Sequence, residues 1–140
     1  LLPKLPYLRE LNFDASGLTD EGLVHLESLR ELRILCLGSC EITDRGFYHL
    51  RHLTNLEWLD LWDAGITEAS LVHINGMKRL RHLDLTNIPV TDASVPILEG
   101  LVRLEKLYLT GTKVSEEGLA RLRRSLPRTV IEHDANRPRD

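Results

Sequence analysis

Leu56-Glu57-Trp58-Leu59-Asp60-Leu61 returns 24 residues later as Leu80-Arg81-His82-Leu83-Asp84-Leu85. Both stretches obey Leu-x-x-Leu-x-Leu. Outward from this pair, the same pattern stands at Leu32/Leu35/Leu37 and Leu8/Leu11/Phe13 on one side, and at Leu104/Leu107/Leu109 on the other. The starts at 8, 32, 56, 80 and 104 keep one fixed period. A fixed period of this length marks a chain of stacked units, each too small to bury its own apolar side.

Inside each unit the apolar spacing changes. Leu-x-x-Leu-x-Leu ends in period-two alternation, which suits a short strand with one buried face. A further apolar residue follows at Leu18, Ile42, Ile66, Val90 and Val114, and then Thr19-Asp20, Thr43-Asp44, Thr67-Glu68, Thr91-Asp92 and Ser115-Glu116. The hydroxyl is expected to cap a helix start, with the acid favouring the positive end of the dipole. Beyond it the spacing is three, as in Leu23/Leu26/Leu29, Phe47/Leu50/Leu53, Leu71/Ile74/Met77 and Val95/Leu98/Leu101. That spacing suits helical turns with one stripe inward. Gly22, Gly46, Ser70, Ser94 and Gly118 sit three after each hydroxyl, where a small residue would let the helix approach the strand layer.

From Leu1 to about Val130 the chain resembles the leucine-rich repeat family, most closely its strand–loop–helix units of 24 residues, similar to bacterial and ribonuclease-inhibitor-like arrays. The resemblance implies an α/β solenoid, a curved horseshoe with a parallel sheet on the concave side and short helices on the convex side. It also implies an Asn, Cys or Thr at the ninth repeat position, bonding the loop backbone. Here that column reads Ser16, Cys40, Ala64, Ile88, Thr112, so side-chain bonding should break at Ala64 and Ile88. The repeat domain is expected over 1–133. Residues 1–7 form a partial unit, since Leu2 and Leu5 fit the last helix slots of a preceding repeat, which suggests further repeats upstream. Leu126-Pro127 should close the last helix, residues 129–133 should add a capping strand, and 134–140 should form a disordered tail.

Composition agrees with a core-forming chain. Of 140 residues 29 are Leu, so disorder is excluded. A net charge of −3 excludes a generally basic nucleic-acid binder. No run of 18 apolar residues spans a membrane. Cys36 and Cys40 make no disulfide framework and marginally favour a reducing, cytoplasmic setting.

Stacking fixes which side chains face outward. Strands sit about 4.8 Å apart and packed helices roughly 8–10 Å, so the sheet must line the concave side. The third position of each unit places Glu10, Ile34, Trp58, His82 and Lys106 on that face. The fifth places Asn12, Cys36, Asp60, Asp84 and Tyr108, and the seventh Asp14, Gly38, Trp62, Thr86 and Thr110. Both Trp residues fall in these columns, and Trp is strongly enriched at energetic centres of interfaces. The candidate partner-binding residues are Ile34, Trp58, Asp60, Trp62, His82, Asp84, Lys106 and Tyr108. The carboxylates among the exposed columns favour a partner bringing a basic residue beside an apolar or aromatic anchor.

Signals for chemistry are weak by comparison. Asp60, Asp84, Asp63 and His82 could hold a proton or cation, but the expected surface is open and no nucleophile, Walker or HExxH motif accompanies them. His25, His49 and His73 share a repeat position on the helix layer, where neighbours stand too far apart to meet on one ion. Arg121, Arg123, Arg124 and Arg128 suit the negative end of the last helix dipole. The reading is a non-enzymatic protein-recognition module without cofactor or metal, with no nucleic-acid or membrane partner. The alternatives are the substrate-receptor part of a larger F-box-like ubiquitin ligase or signalling protein, and a structural spacer. An open strand edge at Leu8–Phe13 would favour weak self-association.

Overall fold

Each Leu-x-x-Leu-x-Leu forms a strand of three residues: β1 (Glu10–Asn12), β2 (Ile34–Cys36), β3 (Trp58–Asp60), β4 (His82–Asp84) and β5 (Lys106–Tyr108). The computed structural model describes residues 7–134, so the expectations for Leu2, Leu5 and 135–140 lie outside the described residues. A sixth strand, β6 (Val130–Glu132), follows, and all six pair in parallel in sequence order. Every register shift is one repeat: Leu11, Leu35, Leu59, Leu83, Leu107 and Ile131 lie side by side. The column is closed to solvent from Leu35 to Leu107. Leu8, Leu11, Phe13 and Leu18 of the first full unit are only partly buried against this core.

The second half of each unit crosses back along the other side of the core. Units one and two do so with one α-turn continued by a 3₁₀ turn: α1 (Asp20–Leu23) into Val24–Leu26, and α2 (Asp44–Phe47) into Tyr48–Leu50. In unit three the whole segment Glu68–His73 is 3₁₀. Unit four runs from a 3₁₀ turn at Asp92–Ser94 into α3 (Val95–Glu99), and only α4 (Glu116–Ser125) makes a longer helix. The spacing of three explains this. Side chains at i and i+3 eclipse in a 3₁₀ turn, which keeps a strict three-residue stripe on one side better than an α-helix does.

The expected hydroxyl cap forms in three of the five units, and the acids make a second, longer-range set of bonds. Thr19 and Thr43 accept no cap bond, while Thr67, Thr91 and Ser115 do. The acids of the first four units, Asp20, Asp44, Glu68 and Asp92, reach forward one repeat. Asp20 accepts from Thr43 N–H (2.7 Å) and hydroxyl (2.5 Å). Asp44 accepts from Thr67 N–H (2.8 Å) and hydroxyl (2.6 Å) and from the Ser70 hydroxyl (2.6 Å). Glu68 takes the same bonds from Thr91 and Ser94, and Asp92 takes them from the Ser115 amide and hydroxyl. The small residue three positions on makes room for this carboxylate. A Cβ at Gly46 would collide with Asp20 Oδ1, and one at Gly118 with Asp92 Oδ1.

The ninth column behaves as its chemistry dictates. Cys40 Sγ donates to Phe13 O (3.0 Å) and Thr112 Oγ1 to Leu109 O (2.6 Å). Ala64 and Ile88 have no such atom. Both are buried, and the loop is held by their amides donating to Leu61 O and Leu85 O, each at 3.0 Å. One residue earlier, Ala15, Ser39, Asp63, Asn87 and Gly111 all take φ between 53° and 75°, so each strand leaves the sheet through a left-handed residue. At the C-terminal end Ile131 covers the core, and His133 Nε2 donates to Val114 O (3.0 Å). Asp134, the first residue of the expected tail, accepts from Gly111 N–H (2.9 Å).

Candidate functional site

The N-terminal ends of the strands are pinned by one repeated device. The carbonyl of Arg9 accepts from the amides of Arg33 and Ile34, and those of Arg33, Glu57 and Arg81 accept the next pairs in the same way. This sets Arg9, Arg33, Glu57, Arg81 and Glu105 in a row along one lip of the sheet. Their charged side chains rise beside the third-position column. Between them lies a hollow of about 590 Å³ containing Ile34, Trp58, His82, Lys106 and Tyr108.

Five of the eight candidate residues therefore meet in one concavity. Its floor is an aromatic stack. The Trp58 indole lies on the His82 ring, centroids 3.7 Å apart and planes within 6°, and Tyr108 approaches His82 from the other side at 5.2 Å. This follows from the register, which sets Trp58 opposite His82 on the next strand and His82 in turn opposite Lys106, two residues before Tyr108. Covered on both flanks, His82 is only 9% exposed, whereas Trp58 remains 40% exposed.

The other three candidates have different roles. Asp60 is partly buried, and its Oδ1 meets His82 Nε2 at 2.9 Å. The Cys36 thiol donates to its Oδ2 at 3.5 Å. Burial pushes the Asp60 carboxyl up, but hydrogen bonds from His82, Trp58 and Cys36 and the attraction of His82 outweigh it and hold the pKa below the usual carboxylate value. Asp84 turns along its own strand to the amide (2.9 Å) and hydroxyl (2.5 Å) of Thr86. Trp62 is half-buried and lies over Gly38, where any Cβ would strike the indole. It covers the adjacent repeat outside the hollow.

Asp14, Cys36 and Asp60 offer potential ligand atoms within 4.8 Å of one another. Burial pushes the Cys36 thiol up to about 12, with the carboxylates of Asp60 and Asp14 adding to the effect. The thiol thus stays protonated as a donor to Asp60, while Asp14 accepts from Gly38 N–H at 2.7 Å. The histidine column has separate partners. His49 Nδ1 lies 3.6 Å from Glu27, His73 packs on Phe47 and Tyr48, and His25 is exposed.

The repeat positions on either side of the first Leu lie outside the strand alternation yet line the hollow or its edge. The preceding position holds Arg79 and Arg103; the following one holds Arg9, Arg33, Glu57, Arg81 and Glu105. Alternation along the strand points to the third, fifth and seventh positions as outward and leaves these two out. The signal was available, since the position after the first Leu is charged in all five units.

No family model and no curated protein matches the chain. Solved structures do. An internalin from Listeria monocytogenes superposes with a TM-score of 0.81 at 23% identity, over 98% of this chain and 37% of that one. A leucine-rich-repeat protein of Leptospira interrogans gives 0.59 at 27% identity, over 78% and 27%. The leucine-rich-repeat ectodomain of a membrane receptor kinase from Arabidopsis thaliana, in complex with Casparian strip integrity factor 2, gives 0.58 at 20% identity, over 79% and 13%. The chain thus spans well under two thirds of each of these proteins. With its period of 24, its one-repeat register and its six parallel strands backed by short helices, the chain is a leucine-rich-repeat solenoid.

Proposed function

We infer that the chain is a non-enzymatic recognition module that holds a segment of a partner protein on its concave sheet. The observation that carries this reading is Trp58. Its indole is stacked flat on His82 yet 40% exposed, inside a hollow shared with Ile34 and Tyr108. A rigid aromatic surface held in a concavity offers large contact area at little entropic cost, as interface anchors do. The groups that could do acid–base work are engaged with one another, because Asp60, His82 and Cys36 share hydrogen bonds. The likeness to a receptor ectodomain solved with a bound factor supports a protein partner. On this reading an apolar or aromatic side chain of the partner rests on Trp58, and a basic residue meets Asp63 and Asp84 beyond the strand ends.

Proteins captured on the immobilised chain would be compared with those captured on Trp58→Ala, Tyr108→Ala and the convex-side Tyr48→Ala, with folding checked by circular dichroism. The expected result is loss of the partner on the two concave variants, about 2 kcal/mol or more for Trp58→Ala, and retention on Tyr48→Ala. Retention on both concave variants with loss on Tyr48→Ala would move recognition to the convex side. Capture of nothing would leave a spacer.

A further inference from the structure

The N-terminal lip of the sheet carries an unbalanced cationic cluster that the aromatic hollow does not explain. Arg33, Arg79, Arg81 and Arg103 line a second hollow of about 500 Å³ in which Glu57 is the one acid among the described residues. Glu57 reaches two of them, Arg33 and Arg81, at 3.8 Å each. Arg81 is also held by Glu105. Arg79 donates to the neutral Asn55 side chain (2.9 Å), and Arg103 has no ion-pair partner among the described residues. Two guanidinium groups are thus left uncompensated on a chain whose net charge is −3.

The cluster is continuous with the recognition hollow, since Arg33, Glu57 and Arg81 line both. The opposite lip has the opposite sign. Asp63 and Asp134 are exposed there, Asp84 is partly exposed, and Glu132 ends the last strand. From Glu57 to Asp63 the chain spans at most about 20 Å, at about 3.3 Å per residue, before the left-handed turn at Asp63. The concave face is therefore polarised across its width, with the aromatic stack between the two signs.

We propose that the arginine lip binds a carboxylate-bearing stretch of the partner, so that the bound element is an extended peptide acidic at the end over Arg79 and Arg103 and apolar or aromatic over Trp58. This rests on the concave-face reading and adds the sign and direction of the partner. Guanidinium forks match carboxylates in two-point hydrogen bonds, and clustered like charges steer an anion toward them. A peptide carries its acids over a few residues and stays clear of Asp63 and Asp134. A continuous polyanion lying across the face would meet them.

The test is selection of a displayed random-peptide library on the immobilised chain, followed by affinity measurement of the selected peptides on variants. Asp and Glu should be enriched beside aromatic or aliphatic residues. Affinity should fall roughly tenfold or more on the Arg79→Glu/Arg103→Glu double variant and on Trp58→Ala. Both substituted arginines are exposed, and circular dichroism checks their folding. Peptides that lose affinity on Trp58→Ala but carry no acidic enrichment, or ignore the charge reversal, overturn this proposal and leave the concave reading standing. Peptides indifferent to both variants, or no selected peptides, overturn both. Tighter binding of a short fluorescent oligothymidylate, lost with a steep salt dependence on the double variant, assigns the lip to single-stranded nucleic acid and overturns the proposal.

Discussion

Gly46 shows how much a single position carries in a repeat this short. Its hydrogen occupies the space beside Asp20, and a methyl group would meet that carboxylate and the Asp20 backbone. Gly46→Ala should cost about 1–2 kcal/mol, because overpacking outweighs the helix preference of Ala. Gly76 is the control, since an added Cβ there meets only Thr54 Cγ2 at 4.0 Å. Gly76→Ala should therefore stay within about 0.5 kcal/mol of the parent. Chemical denaturation of the two proteins checks both values, and equal midpoints would remove the steric account. The small residue was visible in the sequence as a repeating feature. Its reason was not, because the carboxylate it accommodates stands 26 residues earlier in the chain. Likewise, Asp60 and Trp58 could both be placed on the concave face from the period alone. That Asp60 turns to His82 while Trp58 covers the same ring depends on rotamers that no spacing encodes.

At the scale of the element, the short turns of the convex layer are held by the forward-reaching acids as well as by burial. Hydrogen bonds from Ser94 and Thr91 hold the Glu68 carboxyl below its usual pKa, and those from Ser115 do the same for Asp92. For Asp44, burial acts upward but the bonds from Ser70 and Thr67 prevail, and the pKa is again lowered. A carboxylate with a depressed folded pKa stabilises the fold fully above its unfolded value, about 4, and loses that contribution as pH falls through the folded value. Thermal melts between about pH 6 and about pH 2 should show stability falling with acid. Asp44→Asn should start lower at neutral pH and fall less steeply. An unchanged acid slope would show that the acid does not couple the two repeats. Asp44→Ala should cost about 1–2 kcal/mol at neutral pH, since three donors lose one acceptor and part of the site is open to water. The Thr–Asp pairs read locally as caps, because local capping is the familiar use of that pair. The hydroxyl does cap locally at Ala69, Ala93 and Gly118 N–H, but the acid turns away from its own helix start, because the next repeat offers it an amide and a hydroxyl at hydrogen-bonding distance.

For the molecule as a whole, stability rests on contact between neighbouring repeats, and Leu83 stands at the centre of that column. It is fully buried, between Leu59 and Leu107. Leu83→Ala should cost about 2–5 kcal/mol through lost transfer energy and a residual cavity. The loss should lower amide-exchange protection in β3 and β5 as well as β4, because each unit is stabilised by its neighbours. Weakening confined to β4 would contradict a solenoid held together by its interfaces. The sequence by itself determined the repeat period, the alternation of strand and turn, the buried columns and the parallel order, because identical apolar spacing in successive units permits only stacking in register. It also determined which residues within each strand face the concave side, since side chains alternate along a strand. Tertiary structure decided how the exposed polar groups pair across repeats. It tied Asp60 to His82, laid Trp62 over Gly38 and gathered arginines from three units along one lip. Apolar burial is non-directional and follows from periodicity, whereas hydrogen bonds and charge clusters depend on where side-chain atoms come to rest once the units have stacked.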